Sequence, residues 1–156
     1  MISTIGNIVL LQLPKTAFLS SRKISPQSVL KCYDWATIKR DEGRCIISGF
    51  HSKIEKDVLH FLLKGKQPLI LVLGRSLYKQ IPEELIKPLK EDRLLIISVV
   101  SQTINRQSVE SSMIRNKYII ENADEVVFGS LDPNGMLNQL LAETKYLNKH
   151  IILLSQ

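Results

Sequence analysis

Leu69-Ile70-Leu71-Val72-Leu73-Gly74 and Leu94-Leu95-Ile96-Ile97-Ser98-Val99-Val100 are two short aliphatic runs with no clear polar alternation. A strand with one face in water alternates apolar and polar residues, so continuous runs of this length belong to a parallel sheet covered by helices on both faces. They are far shorter than the ~20 apolar residues that a helix needs to span a bilayer. Between them a helix is expected around Glu83 to Glu91. Pro88 must lie in its first turns or kink it, because proline removes a helical N–H donor.

The same alternation of aliphatic run and amphipathic stretch extends in both directions. Further strands are expected at Thr16 to Ser20, Cys45 to Ser48, Glu125 to Phe128 and Ile151 to Leu154. The first helix has Ser25 as N-cap, Pro26 at its first position, Val29, Cys32, Tyr33 and Ala36 on one face, and Gly43 as its stop. The second opens with a capping-box pattern, Ser52-Lys53-Ile54-Glu55, turns Ile54, Val58, Phe61 and Leu62 inward, and ends near Gly65. A fourth falls within Val109 to Asn122, and a fifth runs from Gly135 to Asn148 with Leu137, Leu140, Leu141 and Leu147 on one face. Ile8 to Leu13 reads equally as an extra edge strand or a lead-in element. The expected architecture is α/β: a Rossmann-like, doubly wound, mostly parallel sheet of about six strands with right-handed crossovers, one domain over residues 1–156.

Length and composition agree with that reading. A chain of 156 residues, 44% hydrophobic and 23% charged, can bury a core without disulfide or metal. The amino-terminal residues have no cationic start and no small-residue cleavage pattern, so a cytoplasmic protein with no membrane partner is expected. Cys32 and Cys45 share no CxxC spacing and read as buried thiols, while His51, His60 and His150 are too dispersed for a local metal motif. No metal or cofactor is expected. The chain carries no GxSxG elbow, HExxH pair or P-loop.

Net charge is +6, which permits polyanion binding, and placement must decide. In an open parallel α/β sheet, ligands bind outside the carboxyl ends of the strands. The residues following those ends are cationic: Arg22 and Lys23, then His51 and Lys53, then Arg75 and Lys79, then Arg106, Arg115 and Lys117, the last group placed at or near the start of a helix. Phe50 and Tyr78 visit the same edge. A cationic groove with aromatic platforms is what single-stranded nucleic acid needs. The competing reading makes the cations a solvated rim and the two aromatics the lids of the core.

From Thr16 to Leu154 the chain resembles the Rossmann-like domain of the DNA-processing protein A (DprA, or Smf) family, within the nucleotide-binding superfamily called SLOG. That family's strand ending in GSR is similar to Phe18-Leu19-Ser20-Ser21-Arg22, and its SGxARGID to Ile47-Ser48-Gly49-Phe50-His51-Ser52-Lys53-Ile54-Glu55. Its AVLGxGLD and following YP look like Leu71-Val72-Leu73-Gly74-Arg75-Ser76-Leu77 and Ile81-Pro82, and its RNR looks like Arg115-Asn116-Lys117. The chain departs where Ser20 replaces the first glycine of GSR, Lys53-Ile54-Glu55 replaces RGID, Arg75 replaces a small residue, and Pro133-Asn134-Gly135 stands at the family's SGSL. Larger side chains in place of glycine narrow a phosphate-cradling loop. The resemblance implies binding of single-stranded DNA, help in loading a RecA-type recombinase, and a homodimer. Carried over by position, it implies a DNA- or nucleotide-binding crevice lined by Arg22, Ser48, Gly49, Lys53, Gly74, Arg115, Asn116 and Lys117, with Arg115 and Lys117 on phosphates. Phe50 and Arg75 join this set from the reading of the strand ends.

Two alternatives accompany that expectation: a nucleotide-sensing domain of the same superfamily, and a nucleotide phosphoribohydrolase. The hydrolases of the superfamily carry a PGGxGTxxE loop. Here Asp132-Pro133-Asn134-Gly135-Met136-Leu137-Asn138 takes its place, with Leu141 at the glutamate position and Glu143 two residues late. Without that carboxylate, acid–base work at a glycosidic bond lacks its agent, and a non-enzyme is expected.

Overall fold

The computed structural model describes residues 2–22 and 25–155. Its strands are β1 (Ser3–Gly6), β2 (Lys15–Leu19), β3 (Cys45–Ser48), β4 (Leu69–Leu73), β5 (Leu94–Ser98), β6 (Glu125–Phe128) and β7 (His150–Leu153). Five α-helices intervene: α1 (Pro26–Glu42), α2 (Lys53–Leu63), α3 (Glu83–Lys90), α4 (Val109–Glu121) and α5 (Met136–Thr144). The strands form one sheet in the order β1-β5-β4-β3-β2-β6-β7, all parallel except β1, which runs antiparallel to β5. The α/β, doubly wound, mostly parallel architecture is as expected.

Strand side chains alternate between two separate cores. Ala17, Leu19, Ile47, Val72, Ile97 and Phe128 point to the face covered by α4 and α5, where they meet Ile119, Ile120, Leu137 and Leu140. Phe18, Ile46, Leu71, Leu73, Ile96 and Val127 point to the opposite face, against Cys32, Trp35, Ile54, Val58, Leu62 and Leu85. Each such aliphatic or aromatic side chain contributes roughly 1.5–3 kcal/mol on full burial, and that explains why the runs show no polar alternation.

Local chemistry sets the boundaries. Ser25 accepts from Ser28 N at the start of α1, and Gly43 closes it in the left-handed conformation at φ 74°. Ser52 and Glu55 form the reciprocal capping box of α2. Two details differ from expectation, and two fill in what it left open. The four-residue β1 adds a seventh strand, too short to stand out in the sequence. Ile8–Gln12 is a 3-10 helix, capped by Asn7, whose side chain accepts from Val9 N. Pro88 lies in the second turn of α3, within the first turns as expected, and the helix stops at Lys90. The expected fifth helix breaks into α5 and a 3-10 turn over Lys145–Leu147, with Asn148 left-handed at φ 55°.

The feature that positions a site is the order of the central strands. From β2 the chain builds outward through β3, β4 and β5, then returns to place β6 on the other side of β2. The turns after β2 and β6 therefore diverge to opposite faces and leave a crevice between them. Among the described residues no helix is long and apolar enough to cross a membrane.

Candidate functional site

Two concavities lie at the carboxyl ends of the strands. The smaller, about 300 Å³, occupies the switch point between β2 and β6 and is lined by Ser20, Arg22, Glu55, Asn116, Asp132 and Gly135 among others. Glu55 is its keystone. Although only 4% exposed, its carboxylate accepts from Ser20 N at 3.0 Å through one oxygen and from His51 N at 2.9 Å and Ser52 N at 3.3 Å through the other. A buried carboxylate is tolerable when donors surround it in this way. One side chain thus ties the turn after β2 to the start of α2.

The larger cleft, about 680 Å³, opens across the ends of β3 and β4 between α2, α3 and the loop before α4. Its floor includes Phe50, Leu59, Leu71 and Leu73, and its walls carry His51, Lys56, His60, Arg75 and Arg106, with Asp57 and Glu84 as acids. Phe50 is 4% exposed and held at φ 44°, its N–H donating to Ser48 Oγ at 3.1 Å. A bulky residue in the left-handed region costs on the order of 1–3 kcal/mol, a strain that clusters at functional turns. Arg75 lies over the Tyr78 ring at 5.5 Å from its centroid. Burial pushes the Tyr78 phenol upward, and the Arg75 charge opposes that.

The charges converge on His51. Its ionisation is held below the usual histidine value of 6.5 first by burial and then by Arg115, Lys56 and Arg22, cations from three different elements. Arg115 itself is 5% exposed. It lies in the middle of α4, not at a helix start as expected. Nη1 donates to Gln107 Oε1, and Nε donates to Asn116 Oδ1 at 3.0 Å. Burial lowers its affinity for a proton, and Glu55 offsets part of that.

The two glycines at the strand ends serve this helix. A methyl added at Gly49 would lie 2.8 Å from Arg115 Nε, and one at Gly74 would lie 2.9 Å from the Ser111 carbonyl oxygen. Glycine is favoured at both because α4 packs across the turns, with its side chain at Gly49 and its backbone at Gly74. Gln107 joins the parts: its Oε1 accepts from Gly74 N at 3.3 Å as well as from Arg115, and its Nε2 lies 3.1 Å from His51 Nδ1.

Of the residues expected to line one crevice, Arg22 and Asn116 reach the switch-point pocket, and Gly49, Phe50 and Arg75 reach the cleft. Arg115 is packed beneath both. Ser48 is buried and its hydroxyl is taken by Phe50 N, and Gly74 packs under Ser111. Lys53 stands outside, its side chain 84% exposed and paired with Asp57 at 3.3 Å. Lys117 is exposed on the far side of α4, in a groove shared with Leu140, Glu143 and Leu147. A helix turns Arg115 and Lys117 about 200° apart, so the triplet cannot point one way. Lys23 lies outside the described residues. Leu141 is buried among the α4–α5 core residues, and Glu143 shares the Lys117 groove rather than the crevice.

Sequence reasoning missed Lys56, Gln107 and the role of Glu55. Lys56 and His60, spaced i and i+4 on α2, share a face and supplied a readable signal. Gln107 carried none.

The family model described as DNA recombination-mediator protein A matches residues 1–134. The chain belongs to this family. Within the DNA recombination-mediator protein A family, solved structures agree with the fold. The DNA processing protein A of Streptococcus pneumoniae superposes with a TM-score of 0.80 at 18% identity, over 97% of this chain and 54% of that one. The chain thus spans about half of that relative's length. The Helicobacter pylori protein, described for its single-stranded DNA binding mode, gives 0.78 at 19% identity over 97% of this chain and 70% of that one. A molybdenum cofactor binding protein from Rippkaea orientalis gives 0.62 at 15% identity over 90% and 75%. At these identities the likeness shows the fold alone. No curated protein matches the sequence.

Proposed function

We propose that the chain is a DNA-processing protein that binds single-stranded DNA along the strand carboxyl ends, with phosphates following Arg22, Lys56, Arg75 and Arg106. The observation that carries this reading is the gathering of cations from separate elements around His51 and the cleft. Family membership supports the same ligand. Arg115 is assigned a supporting role: it holds the two glycine turns and supplies positive potential from below, while the exposed cations meet the strand. Lys53 and Lys117 lie off the track.

The proposal extends to a one-domain, non-enzymatic, intracellular protein that works as a homodimer and assists a RecA-type recombinase. The non-enzymatic part is supported by the position of Leu141 in the core and by Glu55, whose oxygens are already taken by three N–H groups. A nucleotide-sensing role has one observation in its favour, the pocket at the β2–β6 switch point. Against it, the Glu55 and Asp132 carboxylates line that pocket and repel a phosphate.

Fluorescence anisotropy with single-stranded oligonucleotides at several salt concentrations tests the reading. The log–log salt slope is expected to fall by roughly 0.7 for each phosphate contact removed. Arg22→Ala with Arg106→Ala lowers the slope by two contacts, and Lys117→Ala leaves it unchanged. An unaltered slope in the double variant, or a drop confined to Lys117→Ala, overturns the assignment.

A further inference from the structure

The side chain of Gln107 is bonded to three other elements, and one of those partners can titrate. Two donors, Gly74 N and Arg115 Nη1, converge on Gln107 Oε1, and this fixes which way the amide faces. Nε2 is therefore the atom 3.1 Å from His51 Nδ1, and its N–H donates to a ring nitrogen that holds a lone pair. That bond lasts only while Nδ1 carries no proton. A proton there sets N–H against N–H. Turning the amide over to accept it would put the NH2 group against Gly74 N and the Arg115 guanidinium, both of them donors.

Gln107 also holds its own stretch of chain. The first half of the loop between β5 and α4 is tied down without it: Ile104 O accepts from Ser76 N at 2.7 Å, and Gln102 Oε1 accepts from Leu77 N at 2.9 Å. Beyond Ile104, Asn105 and Arg106 are exposed and form no hydrogen bond among the described residues. Gln107 alone turns inward before Ser108 caps α4.

The groups facing His51 set the direction of its response. Burial first, then Arg115 from α4, Lys56 from α2 and Arg22 from the turn after β2, oppose a proton on the ring and hold its ionisation below 6.5. Arg75 after β4 and Arg106 on the loop line the same cleft and add to the positive side. Of the acids, Glu55 is occupied by N–H groups that include that of His51, Asp57 is engaged by Tyr33 and Lys53, and Glu84 stands on the α3 wall. His60 on α2 is the other histidine of the cleft.

We propose that Gln107 is an acid-released latch: it holds residues 105–108, and Arg106 with them, against the cleft while His51 is neutral, and lets the segment go when His51 takes a proton.

Residue-resolved amide hydrogen exchange by NMR on the full chain, at about pH 7.5 and about pH 5 and corrected for the intrinsic rate, tests the latch. Gly74 N–H is the reporter, because its acceptor is Gln107 Oε1. On acidification its protection is expected to fall roughly 2- to 12-fold, the net contribution of one hydrogen bond. Ser76 and Leu77, bonded to the first half of the loop, keep theirs. In His51→Gln, whose amide accepts without titrating, the change disappears, and in His60→Gln it persists. Gln107→Glu reverses it, because a carboxylate accepts from the protonated ring and cannot donate to the neutral one. Equal Gly74 protection at the two pH values, or an unaltered fall in His51→Gln, overturns the latch. A fall shared by Ser76 and Leu77 also overturns it, since the whole loop then loosens together. If a variant does not fold, the three amides of the unsubstituted chain decide. No nucleic acid enters the measurement, so its outcome is separate from that of the salt titration.

Discussion

The pocket between β2 and β6 and the cleft across β3 and β4 sit side by side, yet they spend their polar groups in opposite ways. In the pocket, the Glu55 carboxylate is saturated by Ser20, His51 and Ser52 N–H groups, and Asn116 is engaged by Arg115 and Met136. In the cleft, the walls carry Lys56 and Arg106 exposed to solvent above an apolar floor. The contrast teaches that a motif residue can lie at a site and still be unavailable to a ligand. Hydrogen-bonding capacity consumed by the fold organises the site, and capacity left at the rim binds.

The strongest way to break this contrast is Glu55→Ala. Its loss strips the capping box and leaves buried Ser20 N and partly buried His51 N without acceptors, for an expected destabilisation of about 2–4 kcal/mol, measured by urea denaturation. Glu55→Gln keeps one acceptor oxygen and loses less. A near-neutral Glu55→Ala would mean that the carboxylate faces a ligand rather than the fold.

Gly74→Ala comes next, at about 1–3 kcal/mol, because the added methyl meets the backbone of α4 at Ser111. Gly49→Ala costs less, since its methyl meets the Arg115 side chain, which can swing outward. Its larger effect falls on the cleft, where Gln107 loses a donor. If the two substitutions cost the same, Arg115 is as immobile as backbone.

These glycines mark the limit of what was legible in the sequence. Six of the strands and the caps of α1 and α2 were readable because aliphatic runs, Ser25, Gly43, and the Ser52–Glu55 spacing act over a few residues. The rule that ligands meet the strand carboxyl ends led to Arg22, His51, Arg75 and Arg106. The rotation of α4 was not legible, because it depends on packing against Gly49 and Gly74 from distant strands, and so Arg115 and Lys117 were expected to share a direction. Gln107 was invisible for the same reason: its three partners come from three other elements.

The cleft can also be sharpened by pH. Because the folded chain holds His51 below its ordinary 6.5, the unfolded chain binds more protons as pH falls through that value. The His51 contribution is complete above 6.5 and declines below it. The facing groups are Arg115 from α4, Lys56 and Glu55 from α2, and Arg22 from the turn after β2. Chemical denaturation across this range is expected to show a smaller decline in His51→Gln than in the native chain.

The smallest effect concerns Cys32, packed under Gly129 beside the pocket, and Cys45, at the amino end of β3. Burial pushes both thiols up to about 11. At pH 8 about one thiol in a thousand is ionised, so both label slowly in the native chain. In Glu55→Ala, Cys32 should accelerate more than Cys45, and equal acceleration would indicate global unfolding instead of a local change at the pocket.

The shared carboxylate has a mechanical consequence. Since Glu55 clasps the Ser20 backbone N–H with one oxygen and the His51 backbone N–H with the other, one side chain fixes the turn that edges each of the two neighbouring cavities. The pocket and the cleft are thus separated by a single shared strut rather than by two independent walls.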